Sequence, residues 1–545
     1  MQQLYQARGL LSKDFTGQIT YTFCLPYVLE ELDICLTFEK QHYDSPAQVP
    51  VEELADYCRR HYNTTAYDSF SREQLAQLFF RETKTEIHIS ASLNDHFIGC
   101  IHKQLLCRHM HFGPDELSEG CLMPETMDGV LKVTVLAFQV LMDDTPYTIT
   151  VSGKRAAGPN ASARVTKRPS KEIPAATVEN TSKDFLRLEL HNHTTESDAS
   201  LTCRDLLEHM AQDNVDAFAL TDHNTISGHP KMKELLRDFP SPIQCIYGME
   251  YTTYYGHILC LNLHEYVPWD SIDPKRPELI FTQILKTGAL AGIAHPFSFG
   301  YPFATGCRFE MQMTDYAAAD FIEIFNNPEP LRETNLPALA LWENLVLNGL
   351  RIAATSGMDL HNRAPFAGQY ATFIRNDGTA VPQALTRAVK TGQTWVSRGP
   401  LLVAEAMPDE KKVLFRIIDG QKNGCPADSR KKYLMTLTMP EGSFAEPISP
   451  DIPLSISWER FLVHAGKADP CPVIPKLYEQ DRNSYDTAPD PESLLCVSPV
   501  LYLPLTARQT TSPAAVTASQ LPTVTPQPSD STITPMVNVD TAVPI

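Results

Sequence analysis

The segment Phe185–His193, FLRLELHNH, decides the fold, because a short apolar strand in it runs directly into two histidines. At strand spacing His191 and His193 point to the same side, so both can reach one ion. Five further apolar runs carry or lead into Asp, Glu or His: Val215–Leu220 before Asp222 and His223, Ile243–Met249 before Glu250, Ala289–Ala294 before His295, Phe321–Phe325 with Glu323, and Arg351–Thr355 before Asp359 and His361. Strands that deliver such side chains at their carboxyl ends predict a parallel barrel with the active site on that face.

The segments between these runs have helical periodicity. Thr202–Asn214 places its leucines on one helical face, and Pro337–Asn348 does the same before stopping at Gly349. Alternating strands and helices from 185 to 400 predict an α/β domain with parallel pairing and right-handed crossovers.

The rest of the chain divides into three further regions. Residues 1–180 have alternating strand patterns, two helical segments and a linker, which predicts a β-rich domain, a β-sandwich with a helical insertion. Residues 401–475 predict a small β-rich unit. Residues 476–545 are rich in Pro, Ser and Thr, and we expect a disordered tail because they offer little apolar area to bury.

Bulk composition excludes several classes of function. The formal net charge of −19 argues against binding nucleic-acid polymers or anionic membranes through bulk charge. No apolar run has transmembrane length, and the first residues have no apolar targeting segment. The 13 cysteines form no CxxC pair, so we expect reduced thiols in a cytoplasmic protein. Nothing in the sequence fixes the oligomeric state.

The residues at the strand ends are of the types that hold transition metals. Imidazole and carboxylate groups are the usual protein ligands of Zn, Mn and Fe. Each position alone has an ordinary structural alternative: Asp198 could cap a turn, and Glu250 could face solvent. Independent structural explanations become improbable for all of them together, since six of the 17 histidines fall in this one pattern. Asp222 is predicted to orient the neighbouring His223.

The ordered motifs resemble those of the PHP (polymerase and histidinol phosphatase) superfamily. The residues that carry this resemblance are His191-x-His193, Asp198, Thr221-Asp222-His223, Glu250, His295-Pro296 and Asp359-x-His361. More narrowly, ExTTxYGH, AHP, and FIEIFN followed by SGMDxH are similar to the CehA/McbA-like metallohydrolases, over about 185–400. The resemblance implies a distorted (βα)7 TIM-like barrel with two or three divalent ions, of Zn, Mn or Fe.

The resemblance also implies a set of metal ligands. It implies one ion held by His191, His193, Glu250 and Asp359. Glu250 would bridge to a second ion, held also by His257 and His295. It implies a third ion held by Asp198, His223 and His361.

The implied reaction is hydrolysis of a small-molecule phosphoester by a metal-activated hydroxide. Asp222 and His223 are the candidates for moving protons. His229, which follows TDHNTISG, and Arg363, just beyond His361, are candidates for contacting the substrate.

Three alternatives remain open. The same hydroxide could hydrolyse an ester or carbamate, since the subfamily name derives from carbaryl hydrolases. The barrel could instead be a non-catalytic metal-binding or regulatory module, although all nine implied ligand positions hold ligand-capable residues. The N-terminal domain could bind a glycan or polymer, but none of the four tryptophans lies within it, which favours a structural or lid role.

Overall fold

The computed structural model describes residues 1–62, 68–157, 183–268, 276–326, 334–420, 427–480 and 489–505. Most of the predicted linker and the last forty residues lie outside these ranges. The first domain contains eight strands and two helices: β1 (Gln2–Leu11), β2 (Gly17–Leu25), β3 (Leu29–Phe38), α1 (Val51–Tyr62), α2 (Arg72–Glu82), β4 (Glu86–Leu93), β5 (His96–Ile101), β6 (Cys107–Phe112), β7 (Gly129–Gln139) and β8 (Thr145–Arg155).

These strands form two four-stranded antiparallel sheets, in the orders β1-β8-β3-β6 and β2-β7-β4-β5. Alternate residues of both sheets, such as Ile34, Ile89 and Val133, share one apolar core. Helices α1 and α2 are inserted between β3 and β4, and Ser71 begins α2 with the capping box that its spacing to Gln74 predicts. The expected β-rich domain with a helical insertion is therefore confirmed.

The middle of the chain alternates strands with helices, as predicted. Its elements are β9 (Phe185–Glu189), α3 (Cys203–Gln212), β10 (Ala217–Leu220), α4 (Gly228–Arg237), β11 (Gln244–Thr253), β12 (Gly256–Leu261), α5 (Pro277–Lys286), β13 (Leu290–Ile293), β14 (Phe321–Asn326), α6 (Asn335–Leu347), β15 (Ala353–Gly357), β16 (Ala371–Arg375), α7 (Val381–Lys390) and β17 (Trp395–Ser397). Thr202 caps α3 with a second capping box.

The strands of this region lie in one sheet in the order β15-β14-β13-β12-β11-β10-β9-β16-β17. Four pairs are parallel: β9 with β10, β10 with β11, β13 with β14, and β14 with β15. Strand β12 departs from the expected repeat, because a tight turn joins it to β11 and it runs antiparallel to both neighbours. Strand β16 is antiparallel to β9. The domain is thus a mixed α/β sheet rather than a regular succession of seven parallel units.

Some of the C-terminal strands extend the same sheet, whereas others form a separate three-stranded sheet. The C-terminal strands are β18 (Pro400–Met407), β19 (Lys412–Asp419), β20 (Tyr433–Met439), β21 (Gly442–Ile448), β22 (Leu454–Ser457), β23 (Cys471–Glu479), β24 (Leu494–Val497) and β25 (Leu501–Leu503), with the short helix α8 (Trp458–Leu462). Strands β18, β19 and β22 form the separate sheet. Strand β24 pairs with β17 and β23, so the sheet continues from the middle domain into β20 and β21.

The prediction of a structureless tail from residue 476 is wrong for its described part. Leu494, Val497 and Leu503 are buried, and the hydroxyl of Tyr370 donates a hydrogen bond to the carbonyl of Leu494 at 2.6 Å. Strands β24 and β25 are only four and three residues long, and pairing with a neighbouring sheet stabilises them where their own sequence does not. Within the described ranges, no helix has the length and apolarity needed to cross a membrane.

Candidate metal centre

The sheet brings all nine predicted ligand residues to one face. His191 and His193 follow β9, and His295 follows β13 by two residues. Strand β12 begins at this face because it runs antiparallel, and Thr252 of β11 pairs with His257 of β12. The β11–β12 hairpin therefore places His257 beside Glu250, although it comes at the beginning of a strand rather than at its end.

Glu250 lies at the middle of this cluster and is completely buried. Its Oε1 atom is 2.9 Å from His257 Nδ1 and 2.9 Å from His295 Nε2. Its Oε2 atom is 2.9 Å from His223 Nδ1 and 3.3 Å from His191 Nε2. His193 Nε2 also lies 3.4 Å from Oε2. One carboxylate thus faces five imidazoles, which is the arrangement expected of a ligand that bridges ions.

Two carboxylates complete the more exposed side of the cluster. Asp359 Oδ1 lies 3.0 Å from His193 Nε2, and Asp198 Oδ1 lies 3.3 Å from His361 Nε2. The side chains of Asp198, Asp359 and His361 are 23%, 22% and 32% exposed, whereas that of Glu250 is fully buried. A substrate would therefore reach the cluster from the side of Asp198, Asp359 and His361.

The ring nitrogens are oriented so that lone pairs face carboxylate oxygens. His295 Nδ1 donates to the carbonyl of Cys307 at 3.0 Å, and His191 Nδ1 donates to Glu323 at 3.1 Å. If neutral, each ring has one N–H, and the Nε2 atom that faces Glu250 carries a lone pair. Against the effect of burial, the nearby carboxylates raise the pKa of both rings, that of His295 to about 9, which favours protons on these nitrogens when no ion is bound. Two lone pairs at these distances repel each other unless a cation lies between them. Protons could take the place of this cation, but the His191 and His295 rings would then be two imidazolium groups with centroids 5.6 Å apart.

Several buried polar atoms here have no hydrogen-bond partner among the described residues: His191 Nε2, both ring nitrogens of His193, His257 Nε2, Glu250 Oε2 and Asp359 Oδ1. Buried polar groups in native proteins are nearly always satisfied. The donor set, imidazole with carboxylate, is the one that Zn, Mn and Fe prefer. The residues present therefore fit divalent metal ions.

The electrostatic environment prepares these groups as ligands. Burial lowers the pKa of His193 to about 3, with help from His223 and His361, so the ring is neutral and one of its nitrogens has a free lone pair. Burial would raise the pKa of Glu250, but the imidazoles of His257, His191 and His223 outweigh it and hold that pKa well below its usual value. Glu250 is therefore a carboxylate at neutral pH, and metal binding there would compete with protons on the histidines.

Three groups of potential ligand atoms lie close enough for each to share one ion. They are His191, His193, Glu250 and Asp359; His193, Asp198, His223 and His361; and His223, Glu250 and His257. The first group has the membership that the resemblance implies. The second group contains the implied Asp198, His223 and His361 together with His193. The third contains the implied Glu250 and His257 with His223, but not His295, which contacts Glu250 outside these groups.

Asp222 has a different place from the one predicted. Its Oδ1 atom accepts hydrogen bonds from Thr194 N at 2.7 Å and Ser197 Oγ at 2.8 Å, and its Oδ2 atom accepts one from Thr194 Oγ1. His223 Nδ1 is directed instead to Glu250 and to Thr252 Oγ1, at 2.6 Å. The prediction that Asp222 orients His223 is therefore wrong, because Asp222 fixes the loop that leads to Asp198; its part in moving protons stays a prediction.

The two predicted substrate contacts also lie outside the cluster. His229 is buried in α4, where its Nε2 donates to the carbonyl of Gly248 at 2.8 Å, so the prediction of a substrate contact is wrong. Arg363 is half exposed and pairs with Asp205 at 3.3 Å, and its contact with substrate stays a prediction.

Sequence reasoning assigned no function to Glu323 or His102. Glu323 accepts hydrogen bonds from His191 Nδ1, from the backbone N–H of His295 at 3.0 Å, and from Asn326 Nδ2 at 3.0 Å. His102 belongs to the N-terminal domain, and its ring stacks on His223 at 4.5 Å. Glu323 lies within an apolar strand, and its position there does not indicate which residue it contacts. His102 reaches His223 only because the two domains pack against each other.

Comparison with known proteins finds family matches for two parts of the chain. Residues 189–272 match the PHP domain, and residues 1–157 match DUF6669, a family of unknown function. Over 124 residues the chain is 30% identical to the uncharacterized protein MJ1587 of Methanocaldococcus jannaschii, covering 21% of this chain and 69% of that protein. The chain therefore contains a PHP domain and belongs to the same family as this archaeal protein.

Two solved structures are also similar. One is a two-domain protein of Bacteroides vulgatus containing a predicted PHP-like metal-dependent phosphoesterase, with TM-score 0.31 and 14% identity over 59% of this chain and 96% of that chain. The other is an amidohydrolase of Chromobacterium violaceum with bound sulfate, with TM-score 0.24 and 18% identity over 32% of this chain and 87% of that chain. Both TM-scores are below 0.5, and the assignment of the PHP domain rests on the sequence match.

Proposed function

We propose that this protein is a metal-dependent hydrolase, and that its substrate is a small phosphoester. The observation that carries the proposal is the convergence of six histidines with Asp198, Glu250 and Asp359, in which buried ring nitrogens face carboxylate oxygens at hydrogen-bond to near-contact distances, such as 2.9 Å and 3.3 Å at Glu250. Two or three divalent ions, when bound, would acidify a water molecule and stabilise the oxygens of the reacting group.

The residues of the chain have distinct parts in this proposal. Glu250, with His191, His257 and His295, would hold the buried ions. Asp198 and His361 would hold an ion at the open side, where the substrate enters. Glu323 keeps the proton of His191 on Nδ1 and so directs Nε2 to the ion, as outer carboxylates commonly do for ligating histidines.

Charge favours an anionic substrate. The proposed ligand set contains three carboxylates, and each divalent ion brings two positive charges, so two or three ions leave an excess of positive charge. Phosphate oxygens would offset that excess, and this can occur although the whole chain carries a net charge of −19. An ester or carbamate carbonyl would not offset it.

The proposal includes the finer fold and subfamily. We expect the mixed sheet to close as a distorted (βα)7 barrel, supported by the parallel bridge between Asn192, after β9, and Leu360, after β15. We also expect a CehA/McbA-like metallohydrolase, supported by the motifs around Glu250 and Asp359.

The test is metal analysis of the purified chain, followed by assays after chelation and reloading with Zn²⁺, Mn²⁺ or Fe²⁺. Aryl phosphate mono- and diesters are assayed in parallel with an aryl ester and an aryl carbamate. We expect two or three equivalents of metal and metal-dependent release of phosphate. Turnover of only the ester or carbamate would reject the phosphoesterase and indicate an acyl hydrolase on the same metal site. Absence of bound metal, with no activation by added ions, would reject both.

A further inference from the structure

A second cluster of buried potential ligands lies in the N-terminal domain. It consists of Glu86, His88 and His102, which are 7%, 0% and 5% exposed. A carboxylate oxygen and two ring nitrogens of these residues all lie within 4.8 Å of one another. None of the motifs that identify the PHP domain includes these residues, and they lie within the part of the chain that matches a family of unknown function.

The fold directs this cluster toward the PHP domain. Ile87 and Ile89 face the core of the sandwich, so His88, between them on β4, lies on the opposite face of the sheet. There its ring contacts Phe138 edge-on at 5.3 Å, and Phe138 in turn contacts Tyr254 of the PHP domain at 5.7 Å. The cluster is therefore enclosed between the two domains.

The register of β4 explains how Glu86 joins it. Glu86 and His88 are two residues apart on β4, so their side chains point to the same face, and the register irregularity beside Glu86 places the extra residue, Phe138, on β7. His102 follows β5, and its ring stacks on that of His88 at 3.8 Å. Two strands thus deliver two imidazoles and one carboxylate to one point.

The hydrogen bonds of the described residues do not account for these buried groups. Glu86 Oε1 lies 3.2 Å from His88 Nε2 and accepts a hydrogen bond from Gln104 Nε2 at 2.8 Å. The Nδ1 atoms of His88 and His102 are buried without a partner among the described residues. A purely structural pair of histidines would be expected to use these nitrogens, because leaving buried polar atoms unsatisfied costs about 1–3 kcal/mol each.

A metal ion bound through the two Nδ1 atoms accounts for them, while His88 Nε2 donates its proton to Glu86 at 3.2 Å. A carboxylate oxygen of Glu86 and one nitrogen of each ring lie within 4.8 Å of one another, close enough to share one ion. Two histidines with one carboxylate, and a fourth position left open, form a common zinc ligand set.

We propose that Glu86, His88 and His102 form a further site for a divalent transition metal ion, of the zinc type, held by the N-terminal domain. The site adjoins the candidate metal centre, because His102 stacks on His223 at 4.5 Å. The N-terminal domain is then part of the metal-binding machinery, in addition to covering the PHP domain. This site does not depend on the proposed hydrolase activity.

The experiment counts bound metal in the full chain. Wild type, Glu86→Gln and the double variant His88→Gln/His102→Gln are stripped with a chelator, reloaded with Zn²⁺ or Co²⁺, and compared by elemental analysis and by the Co²⁺ absorption spectrum. We expect both variants to lose one equivalent and one component of the spectrum. His42→Gln is the matched control, since His42 lies in the same domain and contacts only the carbonyl of Thr83 among the described residues; it should keep the full count.

The same substitutions in a Glu250→Gln background separate the two proposals. If the further site exists, one equivalent of bound metal still depends on Glu86, His88 and His102 when the candidate metal centre is disrupted. An unchanged metal count in folded Glu86→Gln and in the double variant would overturn the inference, including when their melting temperature falls. If the double variant does not fold, the single substitution Glu86→Gln, which keeps the side-chain volume, decides the question.

Discussion

The carboxylate of Glu323 lies 3.1 Å from Nδ1 of His191, on the side of the ring opposite Glu250. Both residues are fully buried, so this hydrogen bond fixes the tautomer and the orientation of the imidazole. His191 therefore presents Nε2 to the centre before any ion binds, as in other sites where an outer carboxylate orients a ligating histidine.

The first prediction concerns this contact. Glu323→Gln keeps the volume but removes the charge that orients His191, so we expect metal affinity to fall about 10–100-fold with the fold retained. Competition with a chromogenic chelator measures the affinity. Glu343→Gln, which alters a carboxylate paired with Lys476 away from the centre, is the control. Equal metal affinity in the two variants would contradict the role of Glu323.

The second prediction concerns Glu250. Glu250→Gln removes the one charge that five histidines share, and we expect activity to fall by orders of magnitude together with a loss of bound metal. Glu343→Gln is again the control, because Glu343 pairs with Lys476 away from the centre and should keep metal and turnover. If Glu250→Gln kept its metal and its turnover, the whole ligand assignment would have to be abandoned.

The third prediction concerns Asp222. Asp222→Asn replaces an acceptor of three hydrogen bonds by a group with a single acceptor oxygen, which should lower the free energy of unfolding by about 1–3 kcal/mol. Because the loop Thr194–Ser197 leads to Asp198, the ion nearest Asp198 should also bind more weakly. Denaturant unfolding and metal titration measure the two effects. A change in activity without either effect would instead indicate a direct part in proton transfer.

The fourth prediction is a pH dependence of stability. Burial lowers the pKa of His229 from 6.5 to about 4, so the folded state binds this proton less readily than the unfolded state. The resulting stability is fully present above pH 6.5 and is lost as pH falls toward 4, by about 3 kcal/mol in total. Between pH 7 and pH 4, the free energy of unfolding should therefore fall less for His229→Gln than for wild type. An equal fall in the two proteins would contradict the inference that His229 is buried in its neutral form.

The fifth prediction concerns the C-terminal strands. A chain ending at Leu505 should keep the melting temperature of the full chain, because residues 506–545 have little apolar area to bury. A chain ending at Gln480 loses β24 and β25 and uncovers the sheet, and each buried Leu or Val lost costs about 1.5–3 kcal/mol. Thermal unfolding of the two truncations should therefore differ strongly. A similar melting temperature for both would show that these strands do not stabilise the sheet.

The sequence could predict those features that follow from local pattern. His191 and His193 at a strand end, and Asp359 and His361 at another, have the spacing of residues that face one side, and the fold brings them together. His257 was implied only by the resemblance, because an antiparallel strand delivers it from its beginning. Glu323 was identified as part of a strand but not of the site, since its partner His191 lies 132 residues away.

Features that depend on the docking of separate regions could not be predicted. His88 and His102 have no common motif, and only the packing of the sandwich against the PHP domain brings them to His223. Strand β24 is short and lies among Pro and Ser residues, so its order depends on a neighbouring sheet that the local sequence does not indicate.

The β11–β12 hairpin has a consequence for how the centre assembles during folding. Glu250 and His257 are seven residues apart and meet across one tight turn, which closes on the microsecond timescale. His191 and Asp359 are separated by most of the PHP domain, so the entropy of a long loop must be overcome before they meet. A hairpin that forms early would thus offer the growing structure a first pair of ligands, to which the later strands add theirs.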